Sequence, residues 1–126
     1  MNYSAIFNPE IAVTLYGIKT CDTIRKARRW LTNQGIEFTF HDFRSDGLDK
    51  SQLSQWADEL GWELLLNKRS TTWRNLDPDV KESMGPQIAL DIMLDQPAII
   101  KRPVLDLGSK RVVGFSEQNY RAVFAL

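Results

Sequence analysis

Between residues 12 and 43 the chain passes from one β-prone run, through a stretch of helical periodicity, into a second β-prone run. "AVTLYG" (12–17) is brief, apolar and closed by a glycine, as an inner strand would be. Ile24, Ala27 and Leu31 then recur at i, i+3 and i+7 with Trp30 beside them, and Arg25, Lys26, Arg28 and Arg29 fill the intervening positions. Gly35 stands where a helix-terminating glycine belongs, and "IEFTFHDF" (36–43) is aromatic and β-branched. Two strands joined by a helix need a crossover connection, so they are expected to pair in parallel. That places the chain in the α/β class.

The middle of the chain reads as helical. Asp49 and Gln52 have capping-box spacing, and Leu53, Trp56, Ala57 and Leu60 form one apolar stripe before Gly61. "WELLLNKRSTTWRNL" (62–76) reads as a short apolar turn followed by a polar loop. Pro86 suits the first turn of a further helix carrying Ile88, Ala89, Ile92 and Met93, which must end near Gln96 because Pro97 follows. "VLDLGSKRVVGF" (104–115) is two β-prone runs around Gly108, Ser109 and Lys110, hence a hairpin. Ser116 can cap a last helix whose Tyr120, Val123 and Phe124 face inward. The predicted order is βαβ, a helical insertion over about 48–96, then ββα, in a single domain of 126 residues. Residues 1–11, with Pro9 among them, are expected to be an N-terminal tail.

Composition excludes several classes of function. Sixteen basic and sixteen acidic residues cancel, which argues against nucleic acid or a membrane surface as partner. The RKARR cluster (25–29) is therefore read as the solvated face of a helix. One cysteine cannot form an internal disulfide, and one histidine with it cannot build a Cys/His zinc site, so no metal is expected. The beginning of the chain, "MNYSAIFNPEIAV", has no basic start followed by a long apolar run, so a cytoplasmic location is expected. His41 lies on a predicted strand and is read as structural, and the four tryptophans as helix-packing residues.

The single cysteine, Cys21, falls between the first strand and the first helix. Unpaired N–H groups and the helix dipole favour negative charge there, and nearby cations lower a cysteine pKa further. Lys19 and Arg25 are placed to help, while Asp22 works against them. A buried, unreactive thiol is the competing reading, since free cysteine is among the most buried residue types.

Three stretches carry a resemblance that covers roughly residues 12–124. "VTLYGIKTCDTIRKARRWL", "FHDFRSDGLD" and "PAIIKRPVLDLGSKRVVGFSE" resemble the arsenate-reductase-like branch of the thioredoxin superfamily, the ArsC, Spx and YffB proteins, with the YffB-like group nearest. The resemblance implies a thioredoxin-like fold with a cis-proline, Pro103, before the third strand. It implies that Cys21 is the nucleophile and that Arg102 corresponds to an oxyanion-binding arginine, a role suited to a planar guanidinium. It also sets two departures: Asn67 and Gly114 stand where arsenate reductases carry arginines, which demotes arsenate reduction. Ile24 occupies the position of the second cysteine in the Cys-x-x-Cys switch of many Spx regulators.

The function this implies is a monothiol, glutathione-dependent thiol-disulfide reductase, with glutathione as co-substrate rather than bound cofactor. Lys19, Thr20, Arg69, Arg102 and Pro103 are the expected binding residues for glutathione or a small disulfide. A protein disulfide is a further substrate candidate, and the chain is expected to be a monomer. Arsenate reductase and a non-catalytic, Spx-like regulator on RNA polymerase are the alternatives.

Overall fold

The computed structural model describes residues 12–126. The expected tail at 1–11 lies outside the described residues.

The described residues form two compact units, one made of residues 12–42 together with Arg102–Leu126, the other of Phe43–Lys101. In the first unit, β1 (Thr14–Gly17) leads to α1 (Asp22–Asn33) and β2 (Thr39–Asp42). β1 and β2 pair in parallel, Thr14 opposite Thr39 and Gly17 opposite Asp42, as a crossover helix requires. The helix ends where its sequence stops being periodic. Gly35 adopts φ +71°, the Gly35 N–H reaches the Thr32 carbonyl, and the Ile36 N–H reaches that of Leu31. This pair of bonds satisfies carbonyls that would otherwise be orphaned at the helix end.

After Pro103, β3 (Val104–Asp106) and β4 (Arg111–Val113) form the expected hairpin. β3 also pairs antiparallel with β1, so the four-stranded sheet runs β2-β1-β3-β4. Ser116 Oγ accepts the Asn119 N–H at 3.1 Å and so starts the last helix of the chain, Glu117–Val123. The core of this unit joins Leu15 and Leu105 of the inner strands with Ala27, Trp30 and Leu31 of α1 and Tyr120, Val123 and Phe124 at the C-terminus. Burying these side chains supplies the hydrophobic free energy that holds helix to sheet.

The second unit is helical, with more pieces than its sequence suggests. α2 (Lys50–Leu60) is capped by Asp49, which accepts the Ser51 N–H, and Gly61 ends it at φ +89°. The segment read as a turn and a loop contains α3 (Trp62–Leu65) and α4 (Thr71–Arg74), and α5 (Pro78–Glu82) follows. Such one-turn helices carry too few residues to show a period, and local caps start two of them: Ser70 Oγ accepts the Trp73 N–H and Asp77 Oδ1 the Asp79 N–H. α6 (Pro86–Asp95) buries Ala89, Leu90 and Met93, whereas Ile88 faces solvent. Among the described residues no helix is long and apolar enough to cross a membrane.

Candidate active site

β1 delivers the chain to a turn, Ile18–Cys21, closed by the Cys21 N–H on the Ile18 carbonyl at 3.0 Å. Cys21 is the N-cap of α1, with extended backbone (φ −78°, ψ 130°), and its carbonyl accepts the first helical bond, from Arg25, at 3.1 Å. Two contacts set the angle at which the helix leaves the sheet. Ile24 is fully buried and sits against the bare backbone of Gly17, where a β-carbon would stand 2.1 Å from Ile24 Cδ1. The Lys19 N–H donates to Oδ2 of Asp42, at the end of β2, at 3.0 Å.

The Cys21 thiol is half-buried, not the deeply packed side chain of the competing reading. Burial is the largest influence on it and raises its pKa, but the lowering influences together prevail. These are the N–H of Ile24, a hydrogen bond from the Arg102 side chain, the N–H of Thr23 and the positive charge of Arg102. The thiol closes no capping hydrogen bond of ordinary geometry, so the N–H groups act as a field from the helix start rather than as one tight donor. The net result is a thiol more acidic than an ordinary cysteine.

Of the cations expected near the thiol, Arg102 acts on it and Arg25 does not. Arg25 forms an ion pair with Asp22 one turn along the exposed face of α1, and holds that carboxyl below its usual range. Asp22 and Arg25 thus largely answer each other, and the guanidinium that acts on the sulfur comes from Arg102, eighty-one positions on in sequence (102 − 21). Pro103 follows it, buried, and the Arg102–Pro103 peptide is cis. The Pro103 carbonyl accepts the Gly114 N–H at 2.8 Å, which ties it to the end of the hairpin.

Lys19 and Thr20 are exposed on the turn beside Cys21. Arg69 is exposed and belongs to the second unit. The two departures from the arsenate-reductase pattern have structural uses. Asn67 Oδ1 accepts the Arg69 N–H at 3.1 Å and its carbonyl accepts Ser70 Oγ at 2.7 Å, building the turn before α4. Gly114 has φ +84°, a conformation that disfavours any side chain. His41 packs against Tyr16 with ring centroids 4.9 Å apart and the ring planes tilted by 45°. No group of His, Cys, Asp and Glu side chains among the described residues could hold a metal ion.

Sequence reasoning passed over Gly17, Ile24 and Asp42 as parts of this site. The usable signals were a glycine placed directly before the cysteine loop and a carboxylate ending an aromatic strand.

The ArsC family model matches residues 16–123. Among solved structures, a YffB protein is 43% identical, with TM-score 0.85, over 90% of this chain and 99% of that one. An arsenate reductase (ArsC) related protein from Brucella melitensis is 45% identical, with TM-score 0.78, over 93% and 98% of the two chains. The global transcriptional regulator Spx of Streptococcus pyogenes is 30% identical over 87% of this chain and 83% of its own.

Proposed function

This chain belongs to the ArsC family, and on that premise we propose that it is a monothiol reductase of disulfides that uses Cys21 as nucleophile and glutathione as reductant. The observation that carries the reading is the acidified, half-buried thiol at the start of α1 under the Arg102 guanidinium. A thiolate is the attacking form, and partial exposure leaves it a path to an incoming sulfur.

The chemistry proceeds by exchange. Cys21 thiolate attacks one sulfur of a disulfide, the S–S bond breaks, and the other sulfur departs as a thiolate that takes a proton from solvent. Cys21 is then held in a mixed disulfide. With no second cysteine in the chain, an external thiol must release it. One glutathione thiolate attacks Cys21 Sγ, expelling the remaining substrate thiol and leaving a Cys21–glutathione disulfide. A second attacks the glutathione sulfur, restoring Cys21 and forming oxidised glutathione. Two glutathione molecules are oxidised for each disulfide reduced.

Arg102 has two uses in this scheme: it stabilises the Cys21 thiolate between turnovers and offers a planar donor fork to a substrate carboxylate. Lys19 and Thr20, exposed on the rim, are proposed to bind the peptide part of glutathione. No role is assigned to Arg69. Arsenate reduction is disfavoured because Asn67 is spent on a turn and Gly114 on a positive-φ position, leaving two expected oxyanion donors absent.

A second reading, a regulatory adaptor, draws support from the Spx relative. A coupled assay with glutathione, glutathione reductase and a small disulfide separates the two. Turnover that vanishes in Cys21→Ser supports the reductase. Wild-type turnover no greater than that of Cys21→Ser rejects it, and capture of RNA polymerase equally by both proteins then favours the adaptor.

A further inference from the structure

Asp42 is the one buried charged side chain among the described residues. A carboxylate taken out of water is costly unless hydrogen bonds replace its hydration, so its partners reveal what it is for. Its Oδ2 accepts the Lys19 N–H, a group inside the Ile18–Cys21 turn and two residues from the thiol. The placement follows from topology. Asp42 ends β2 opposite Gly17, the last residue of β1, so parallel pairing sets the carboxylate beside the point where the chain leaves the sheet for the cysteine.

We propose that Asp42 is a positioning residue for the Cys21 nucleophile, its carboxylate tying down the backbone of the turn that presents the thiol. The turn then has two anchors, one local through the Cys21 N–H on Ile18 and one across the strands through Lys19. With the second anchor gone, Lys19 and Thr20 are held only by the chain, and the register of Sγ against the Thr23 and Ile24 N–H groups and Arg102 loosens. The groups that act on the sulfur are those N–H donors and Arg102, and Asp42 is not among them. The proposed service is that of its acceptor oxygen, which substitution separates from its charge.

This inference rests on Cys21 being the nucleophile, and its test reads the thiol without needing turnover. The rate of Cys21 alkylation by iodoacetamide is followed against pH in the full chain as wild type, Asp42→Asn, Asp42→Ala and Lys19→Pro, with thermal unfolding in parallel. Asn keeps an acceptor oxygen, Ala removes it, and Pro at position 19 removes the donor while leaving Asp42 in place. The expected result is a profile midpoint raised in Asp42→Ala and Lys19→Pro, with alkylation at pH 7 about threefold slower, and an Asp42→Asn profile close to wild type. Should Asp42→Ala not fold, Lys19→Pro against Asp42→Asn decides the matter. Midpoints at the wild-type value in both Asp42→Ala and Lys19→Pro, whatever their melting temperatures, overturn the proposal, as does Asp42→Asn shifting as far as Asp42→Ala. Loss of the reductase reading would show instead as a Cys21→Ser variant that turns over like wild type.

Discussion

Replacing Gly17 by alanine tests whether close contact at the end of β1 sets the start of α1. The new methyl would lie 2.1 Å from Ile24 Cδ1 and 2.7 Å from Ile24 Cγ1. Carbon atoms in good contact stand about 3.5–4.0 Å apart, so Cδ1 must retreat by roughly 1.5 Å and Cγ1 by about 1 Å. Ile24 has no exposed surface, so its side chain cannot swing into solvent, and either the core or α1 must move. Overpacking of this kind costs about 1–3 kcal/mol. At about 2.1 cal/mol/K of unfolding entropy per residue, that is a fall in Tm of roughly 4–12 °C for a domain of this size. Ile24→Val removes only Cδ1 and should relieve part of the Gly17→Ala penalty. Ile24→Ala removes both clashing atoms and should abolish it, although by itself it opens a cavity worth about 2–5 kcal/mol. The assay is thermal and urea unfolding of the four-member cycle, Gly17→Ala against Ile24→Ala, with a coupling of about 1–3 kcal/mol expected. A Gly17→Ala protein as stable as wild type, or a penalty unchanged in the Ile24→Ala background, would refute the reasoning.

Three further outcomes are expected. Arg102→Gln removes the guanidinium charge that acts on the thiol, so the midpoint of Cys21 alkylation should rise, and a profile superimposable on wild type would count against that assignment. Because the folded pKa of Cys21 is depressed, its thiolate stabilises the fold above the unfolded cysteine value, about 8.5, and that contribution is lost as pH falls through the folded value. The stability difference between wild type and Cys21→Ser should therefore grow with rising pH and level off near the unfolded value; urea titrations across pH would show a flat difference if the sign is wrong. Gly114→Ala, at φ +84°, should destabilise by about 1 kcal/mol, read as a drop in urea midpoint, and no loss would mean that the glycine is not required for the turn.

Periodicity made α1 legible from its sequence: Ile24, Ala27, Trp30 and Leu31 are its buried face. The hairpin, the Ser116 cap and the parallel pairing of the first two strands followed from equally local rules. The insertion was read less well, because α3, α4 and α5 span four or five residues each and no repeat develops in so few. In α6 the choice between Ile88 and Leu90 for the interior depended on what the helix packs against, and two apolar residues offer no local cue to that.

At the site, the chain's own order determined that its one thiol would begin a helix after a strand, since apolar spacing and a following amphipathic stretch are enough to place it. Which of the candidate cations, Lys19, Arg25 or Arg102, would act on that thiol was a matter for the tertiary structure. Arg25, next in sequence, is turned aside to Asp22, while the sheet order brings Arg102 to the sulfur from the far side of the insertion. The same holds for Asp42 on Lys19 and Ile24 on Gly17. Electrostatic and packing terms act through distances in space, and those distances are fixed only once distant segments share a sheet.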